Sequence, residues 1–159
     1  MWHSLIPGSG KSTWVQEKMK TNPGVWCSRD AVRFSMVGED EDYFARENEV
    51  YRIWINNIKT AIANKIDNIY IDATHLTKKA RLNVLNKINT HNYNIIPICF
   101  ELPLHICLQH NNQRFGRAKV PNEVIENMYN SYTTPNYSEF AYHNIIIFKE
   151  ELFGKNLSD

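Results

Sequence analysis

The run Pro7-Gly8-Ser9-Gly10-Lys11-Ser12-Thr13 limits what this chain can fold into more than any other segment. It stands between a short apolar stretch, residues 2–6, and a helix-like segment, residues 11–20. At such a junction glycines let the backbone curl, so that several N–H groups point inward around an anion. Gly8, Ser9 and Gly10 supply the curl, and the helix that follows adds the positive end of its dipole. The Lys11 ammonium then reaches the β and γ oxygens of a nucleoside triphosphate. The Ser12 hydroxyl serves as a ligand for Mg²⁺, and Thr13 completes the run. ATP and Mg²⁺ are therefore the expected cofactors. One position departs from the general pattern: its first glycine, five residues before Gly10, is Leu5. A plain Gly-Ser turn carrying a surface lysine is the alternative, and the flanking strand and helix argue against it.

The rest of the chain alternates short apolar runs with helical patterns, the signature of βα units on a parallel sheet. Strands are expected near residues 2–6, 24–28, 69–71, 95–102 and 145–148. Val50, Trp54, Ile58, Ala61 and Ile62 recur at helical spacing, which predicts one long helix over 42–65. Further helices are expected over 77–89, capped by Thr77, over 104–113, and over 122–132, with Pro121 in its first turn. A length of 159 residues suits one domain, and a 43% hydrophobic content allows an ordinary core. The expectation is a single domain, residues 1–159: an α/β, three-layer fold around a parallel five-stranded sheet. The second strand is expected to lie beside the first.

Formal net charge is +1, so no global field favours a polyanion, and a nucleic-acid ligand needs local basic patches. Cys27, Cys99 and Cys107 show no metal-ligand spacing and read as reduced core residues of a cytoplasmic protein. No apolar run approaches the roughly 20 residues that span a bilayer, and no signal-peptide pattern opens the chain. No membrane partner is expected.

Ser28-Arg29-Asp30-Ala31-Val32-Arg33 follows the second strand. Ligands of open parallel sheets sit at the carboxyl ends of strands, so Asp30 is placed to accept the proton of an attacking alcohol. Arg33, one helical turn on, shares its face and suits a bidentate contact with an acceptor phosphate or carboxylate. The blander alternative is a helix cap at Asp30 with Arg33 in solvent. Asp72 ends the apolar strand Ile69-Tyr70-Ile71 and can hold Mg²⁺ through water or orient the acceptor. His75 reads as solvated, and Lys78, Lys79 and Arg81 as a soluble helix face or a phosphate contact. Residues 109–121 form a basic loop with a hinge at Gly116 and a restart at Pro121. A mobile arginine there, Arg114 or Arg117, would stabilise charge on the transferring phosphoryl group. Tyr129, Tyr132, Tyr137 and Tyr142 read as ordinary packing rather than base-stacking residues.

Gly8 to Trp14, Asn22-Pro23-Gly24 and Arg29-Asp30 with Arg33 together resemble the kinase domain of phage-type polynucleotide 5′-hydroxyl kinases. The likeness runs on through Asp72, Asn111 with Arg114, Val120-Pro121 and Met128-Tyr129. It implies a P-loop fold of the adenylate-kinase type with an arginine lid. It implies Asp30 as general base, Arg33 on the acceptor's phosphate and Arg114 as the lid arginine, with Arg117 the alternative after a one-residue insertion. It also implies RNA or DNA 5′ ends as partners and a 5′-phosphate product suited to a downstream ligase. His110 stands where that family usually carries another arginine. No Asp-x-Asp-Gly phosphatase signature is present, so no phosphatase domain is expected. Cytoplasmic location, the host's if the chain is viral, and a homo-oligomer left open complete the reading. The alternatives are a kinase of a small alcohol (nucleoside, sugar or antibiotic) and an inactive nucleotide-binding module.

Overall fold

The structure is a computed structural model describing residues 2–4, 7–38, 40–139 and 145–149, without the side chains of 2–4, 117 and 147–149. Leu5 and Tyr142 lie outside the described residues. Among the described residues, five strands run parallel in one sheet: β1 (Trp2–Ser4), β2 (Val25–Ser28), β3 (Ile69–Ala73), β4 (Pro97–Glu101) and β5 (Ile146–Lys149). Their order is β2-β3-β1-β4-β5. The second strand is therefore not the neighbour of the first, as expected, but of the third. The burial pattern gives the reason. All five residues of β3 are buried, as a strand flanked on both sides requires, whereas β2 carries one buried residue in four and suits an edge.

Alternation along β3 builds both faces. Ile69, Ile71 and Ala73 join Cys27, Trp54, Ile55, Ile58, Ala61, Val84 and Ile88 in one cluster. That cluster packs α3 (Glu47–Ala63) and α4 (Lys78–Leu85) on the sheet. Trp54 is fully buried, and its Nε1–H donates to the Cys27 carbonyl at 2.9 Å, so a large apolar ring keeps its one polar atom satisfied. Tyr70 and Asp72 point to the opposite face, towards α1 (Lys11–Thr21). The Tyr70 hydroxyl donates to the Asn22 carbonyl, just past that helix, at 2.7 Å. On the same side Ile98 and Phe100 of β4 meet Trp14, edge to face with Phe100. Period two in the strands thus yields helices on both faces and three layers.

The helices differ from expectation at their starts. α2 (Arg29–Met36) is a separate helix, capped by the Ser28 hydroxyl accepting from the Ala31 N–H at 3.2 Å. The long helix expected over 42–65 begins only at Glu47, because residues 40–46 form turns, one of them held by the Asp42 carboxylate on the Phe44 N–H. α4 is capped by Thr77 as expected but stops at Leu85. α5 (Leu104–Asn112) leads through a 3₁₀ turn (Gly116–Ala118) to α6 (Asn122–Ser131), before which Pro121 is the flanking residue rather than first-turn.

Two expectations about polar groups fail. Arg81 is neither solvent-facing nor a phosphate contact. It is fully buried, its Nε and Nη2 on Glu139 at 2.7 and 2.9 Å, and its Nη1 on the carbonyls of His75, Leu76 and Thr133. His75 is buried too, its ring centroid 5.4 Å from that of Trp54 and tilted 41° to it. A guanidinium can be buried only with a full set of acceptors, and the strap of residues 133–139 supplies them together with the carbonyls of His75 and Leu76. No helix among the described residues is long and apolar enough to cross a membrane.

Candidate active site

The phosphate loop lies between β1 and α1, beside β3, where the strand order reverses. Gly8 and Gly10 adopt φ of 89° and 87°, left-handed values that glycine takes without strain. Gly8 is also pressed against α5: a Cβ there would sit 2.5 Å from the Cys107 carbonyl oxygen. His110, one turn further along α5, places its Nδ1 2.8 Å from the Gly8 carbonyl. That contact occupies the position where the resemblance predicts an arginine.

Ser9, between the two glycines, is 1% exposed, and its hydroxyl meets no partner among the described residues. Gly10 caps α1 without any side-chain hydrogen bond, and no acid stands in the helix's first turn. An orphaned buried hydroxyl, a left-handed curl and an unshielded helix start fit a polyphosphate. Ser12 and Thr13 are exposed at the head of α1. Lys11 reaches towards β3, its ammonium 3.6 Å from Asp72 Oδ1, while Trp26 Nε1–H donates to Asp72 Oδ2 at 3.2 Å. Asp72 thus orients the loop lysine, and with Ser12 offers hard oxygen donors of the kind magnesium takes.

A second constellation stands across the carboxyl edge of β2. Asp30 and Arg33, three apart on α2, form an ion pair through Asp30 Oδ1 and Arg33 Nη1. The Tyr43 hydroxyl donates to the same Oδ1 at 3.0 Å and accepts from Arg33 Nη1 at 3.0 Å. Glu47, first residue of α3, takes Arg33 Nε and Nη2 at 3.2 and 2.7 Å, and also binds Arg29. An acid at a helix start is favoured by the dipole, which helps Glu47 carry two arginines. The Arg33 guanidinium lies 4.5 Å over the Tyr43 ring. Burial by itself would lower the Arg33 pKa, but the Glu47 hydrogen bond and the charges of Tyr43, Asp30 and Glu47 outweigh it and leave it raised. Burial, with the Asp30 charge behind it, pushes the Tyr43 phenol up to about 12, so it keeps its proton and can donate.

These groups line a cavity of about 510 Å³ that reaches Pro7 of the phosphate loop and Thr74 beyond β3. Its walls are largely apolar, with Phe34, Val37 and Phe44 on one side and Val120, Val124 and Met128 on the other. Both hydrogen bonds that the Asp30 carboxylate accepts among the described residues fall on Oδ1, leaving Oδ2 for an incoming hydroxyl. Arg33, expected to meet the acceptor, is 5% exposed and already ligated by two acids. Arg114 is half-buried and donates to the Ala118 carbonyl at 3.5 Å within its own loop. The Arg117 side chain lies outside the described residues. Asn111 fixes that loop instead, exchanging bonds with Val120 at 2.7 and 3.0 Å. Sequence reading missed Tyr43 and Glu47. An acid opening the apolar stripe of α3 was a signal for Glu47. Nothing local announced Tyr43.

A family model described as an AAA domain matches residues 6–135. The chain belongs to that family. Among relatives of this AAA domain, an L-seryl-tRNA(Sec) kinase of Methanococcus maripaludis is 31% identical over 137 residues, covering 82% of this chain and 51% of that protein. The AAA domain thus spans about half the length of that relative. Its fold also aligns with deoxyadenosine kinase from M. mycoides with bound dATP, at a TM-score of 0.48 and 16% identity, over 95% of this chain and 92% of the other.

Proposed function

We propose that this AAA domain is a P-loop kinase that transfers the terminal phosphoryl group of a nucleoside triphosphate to an alcohol. The observation that carries the reading is the Asp30 carboxylate. It is held by Arg33 and Tyr43 through one oxygen, in a cavity that runs to the phosphate loop. Lys11 and the loop amides would hold the polyphosphate, and Ser12 the magnesium, which neutralises charge on the phosphates. The acceptor hydroxyl gives its proton to Asp30 as its oxygen bonds the terminal phosphorus, and the nucleoside diphosphate leaves. Arg114 is proposed to close over the phosphoryl oxygens, with Arg117 the alternative.

The cavity favours a small alcohol of nucleoside, sugar or antibiotic size. At about 510 Å³ it falls within the usual range of small-ligand sites, and its walls are mostly apolar. Arg33, already satisfied by Asp30 and Glu47, needs no acceptor phosphate. A second reading, a polynucleotide 5′-hydroxyl acceptor on RNA or DNA, draws support from the Arg29-Asp30-x-x-Arg33 run. The relative named as an L-seryl-tRNA kinase is consistent with an alcohol borne on a nucleic acid. The test is transfer from labelled ATP to a panel of nucleosides, sugars, seryl-tRNA and an oligonucleotide with a free 5′-hydroxyl. Labelled nucleoside with unlabelled oligonucleotide supports the first reading, and the reverse supports the second. ATP bound without transfer to any acceptor sinks both.

A further inference from the structure

Asp72 is the acid that answers the loop lysine, and its two oxygens have different neighbours. Oδ1 lies 3.6 Å from the Lys11 ammonium, and Oδ2 accepts the Trp26 Nε1–H at 3.2 Å. Asp72 is 6% exposed, so its protein partners, more than water, set the direction in which its charge acts. Trp26 is not its register neighbour: the pairing sets Trp26 across from Tyr70, and Ser28 across from Asp72. The contact therefore runs along a diagonal of the sheet, a reach open to aromatic and other long side chains. Ser28, directly opposite, has its hydroxyl engaged on the Ala31 N–H as the cap of α2. Burial does not force the bond, because Trp26 is only half-buried and water could serve its N–H. Trp54 shows the contrast, being fully buried and donating to a backbone carbonyl.

The kind of donor matters. An indole N–H donates only, and it carries no charge. It holds one carboxylate oxygen in place without neutralising the acid, as a lysine or arginine there would. A polyphosphate that draws the Lys11 ammonium away from Oδ1 leaves Asp72 still tied through Oδ2. We propose that Trp26 is a positioning residue that locks Asp72, keeping Oδ1 turned to the phosphate loop for the lysine in the free protein and for magnesium beside bound nucleotide. The assignment rests on the kinase reading and adds to it the residue that sets how strongly the metal supports ATP binding.

The test is calorimetric titration of the full chain with ATP, in Mg²⁺ and in EDTA, for the wild type, Trp26→Phe, Asp72→Asn and the double variant. Phenylalanine keeps a ring in β2 and removes the N–H, and urea midpoints check that each variant is folded. The factor by which Mg²⁺ tightens ATP binding should shrink about tenfold in Trp26→Phe, the scale of one hydrogen bond to a charged group. In the Asp72→Asn background the same substitution should change that factor by less than about twofold, because its route is already cut. A merely structural tryptophan would lower the urea midpoint and leave the factor alone, or act equally in both backgrounds. Either result overturns the proposal. Where Trp26→Phe fails to fold, the indole N–H resonance of Trp26 in isotope-labelled wild type decides. It should exchange slowly with D₂O in the free protein and in the Mg-ATP complex alike. Loss of protection on binding Mg-ATP means that Trp26 releases Asp72, and overturns the assignment. A chain that binds Mg-ATP but transfers to no acceptor fails the kinase reading alone, whereas one that transfers without this coupling fails the positioning role alone.

Discussion

Asp30 and Glu47 are both carboxylates within reach of Arg33, yet their surroundings assign them different work. The Asp30 side chain is 56% exposed and opens on the cavity, whereas Glu47 is 29% exposed and closes the back of a guanidinium that is itself 6% exposed. Asp30→Asn removes the proton acceptor from an exposed position. Turnover should fall by about 10²–10⁴, the usual worth of a general base, with ATP affinity and the urea midpoint nearly unchanged. Glu47→Gln leaves a buried arginine short of charge and should cost about 2 kcal/mol. That is less than the 3–5 of a wholly buried pair because water still reaches Glu47. Urea denaturation of the two variants separates the roles: an Asp30→Asn protein as unstable as Glu47→Gln would make Asp30 structural. Three-residue spacing put Asp30 and Arg33 on one helix face in the sequence, but Arg33 was expected on the acceptor and pairs with Asp30 instead. Tyr43 was not legible, since it reaches Asp30 from turns whose path depends on where α3 begins.

Elements were easier to recognise than to place. Glycine, proline and apolar periodicity mark the strands and helices, because those signals are local. The order β2-β3-β1-β4-β5 depends on which strand is buried on both edges, a property of the assembled sheet that no single run displays. Local and assembled requirements coincide at the phosphate loop. Gly8 is needed for its φ of 89° and also for the approach of α5, whose Cys107 carbonyl leaves no room for a side chain. Gly8→Ala should therefore act on two elements at once. Left-handed backbone in alanine costs about 1–3 kcal/mol, and the 2.5 Å contact pushes α5 and His110 away from the loop. The expected result is a lower melting temperature together with weakened ATP binding, measured by thermal shift with and without Mg-ATP. Full ATP-induced stabilisation in this variant would mean that the curl is not the binding element.

At the scale of the whole molecule, the domain is closed by polar groups buried with their partners and by thiols buried without charge. Arg81 and Glu139 tie the strap of residues 133–139 to α4, and account for an arginine that the sequence suggested was solvated. The three cysteines lie in β2, β4 and α5, all buried, and desolvation raises each from 9.0 to about 11. A raised acid keeps its proton in the folded state at a pH where the unfolded chain has released it. Between pH 9 and about 11 the unfolded state therefore binds fewer protons, and stability falls as pH rises through that window. Tyr43, raised from 10.0 to about 12, carries the same sign slightly higher. Urea midpoints should hold up to about pH 8.5 and then drop towards pH 10.5, the drop becoming shallower when Cys27, Cys99 and Cys107 are all replaced by alanine. At pH 8 the native thiols should resist a thiol reagent that labels all three in urea. Rapid native labelling, or an alkaline drop equally steep without the cysteines, would show that the core they occupy is open to water.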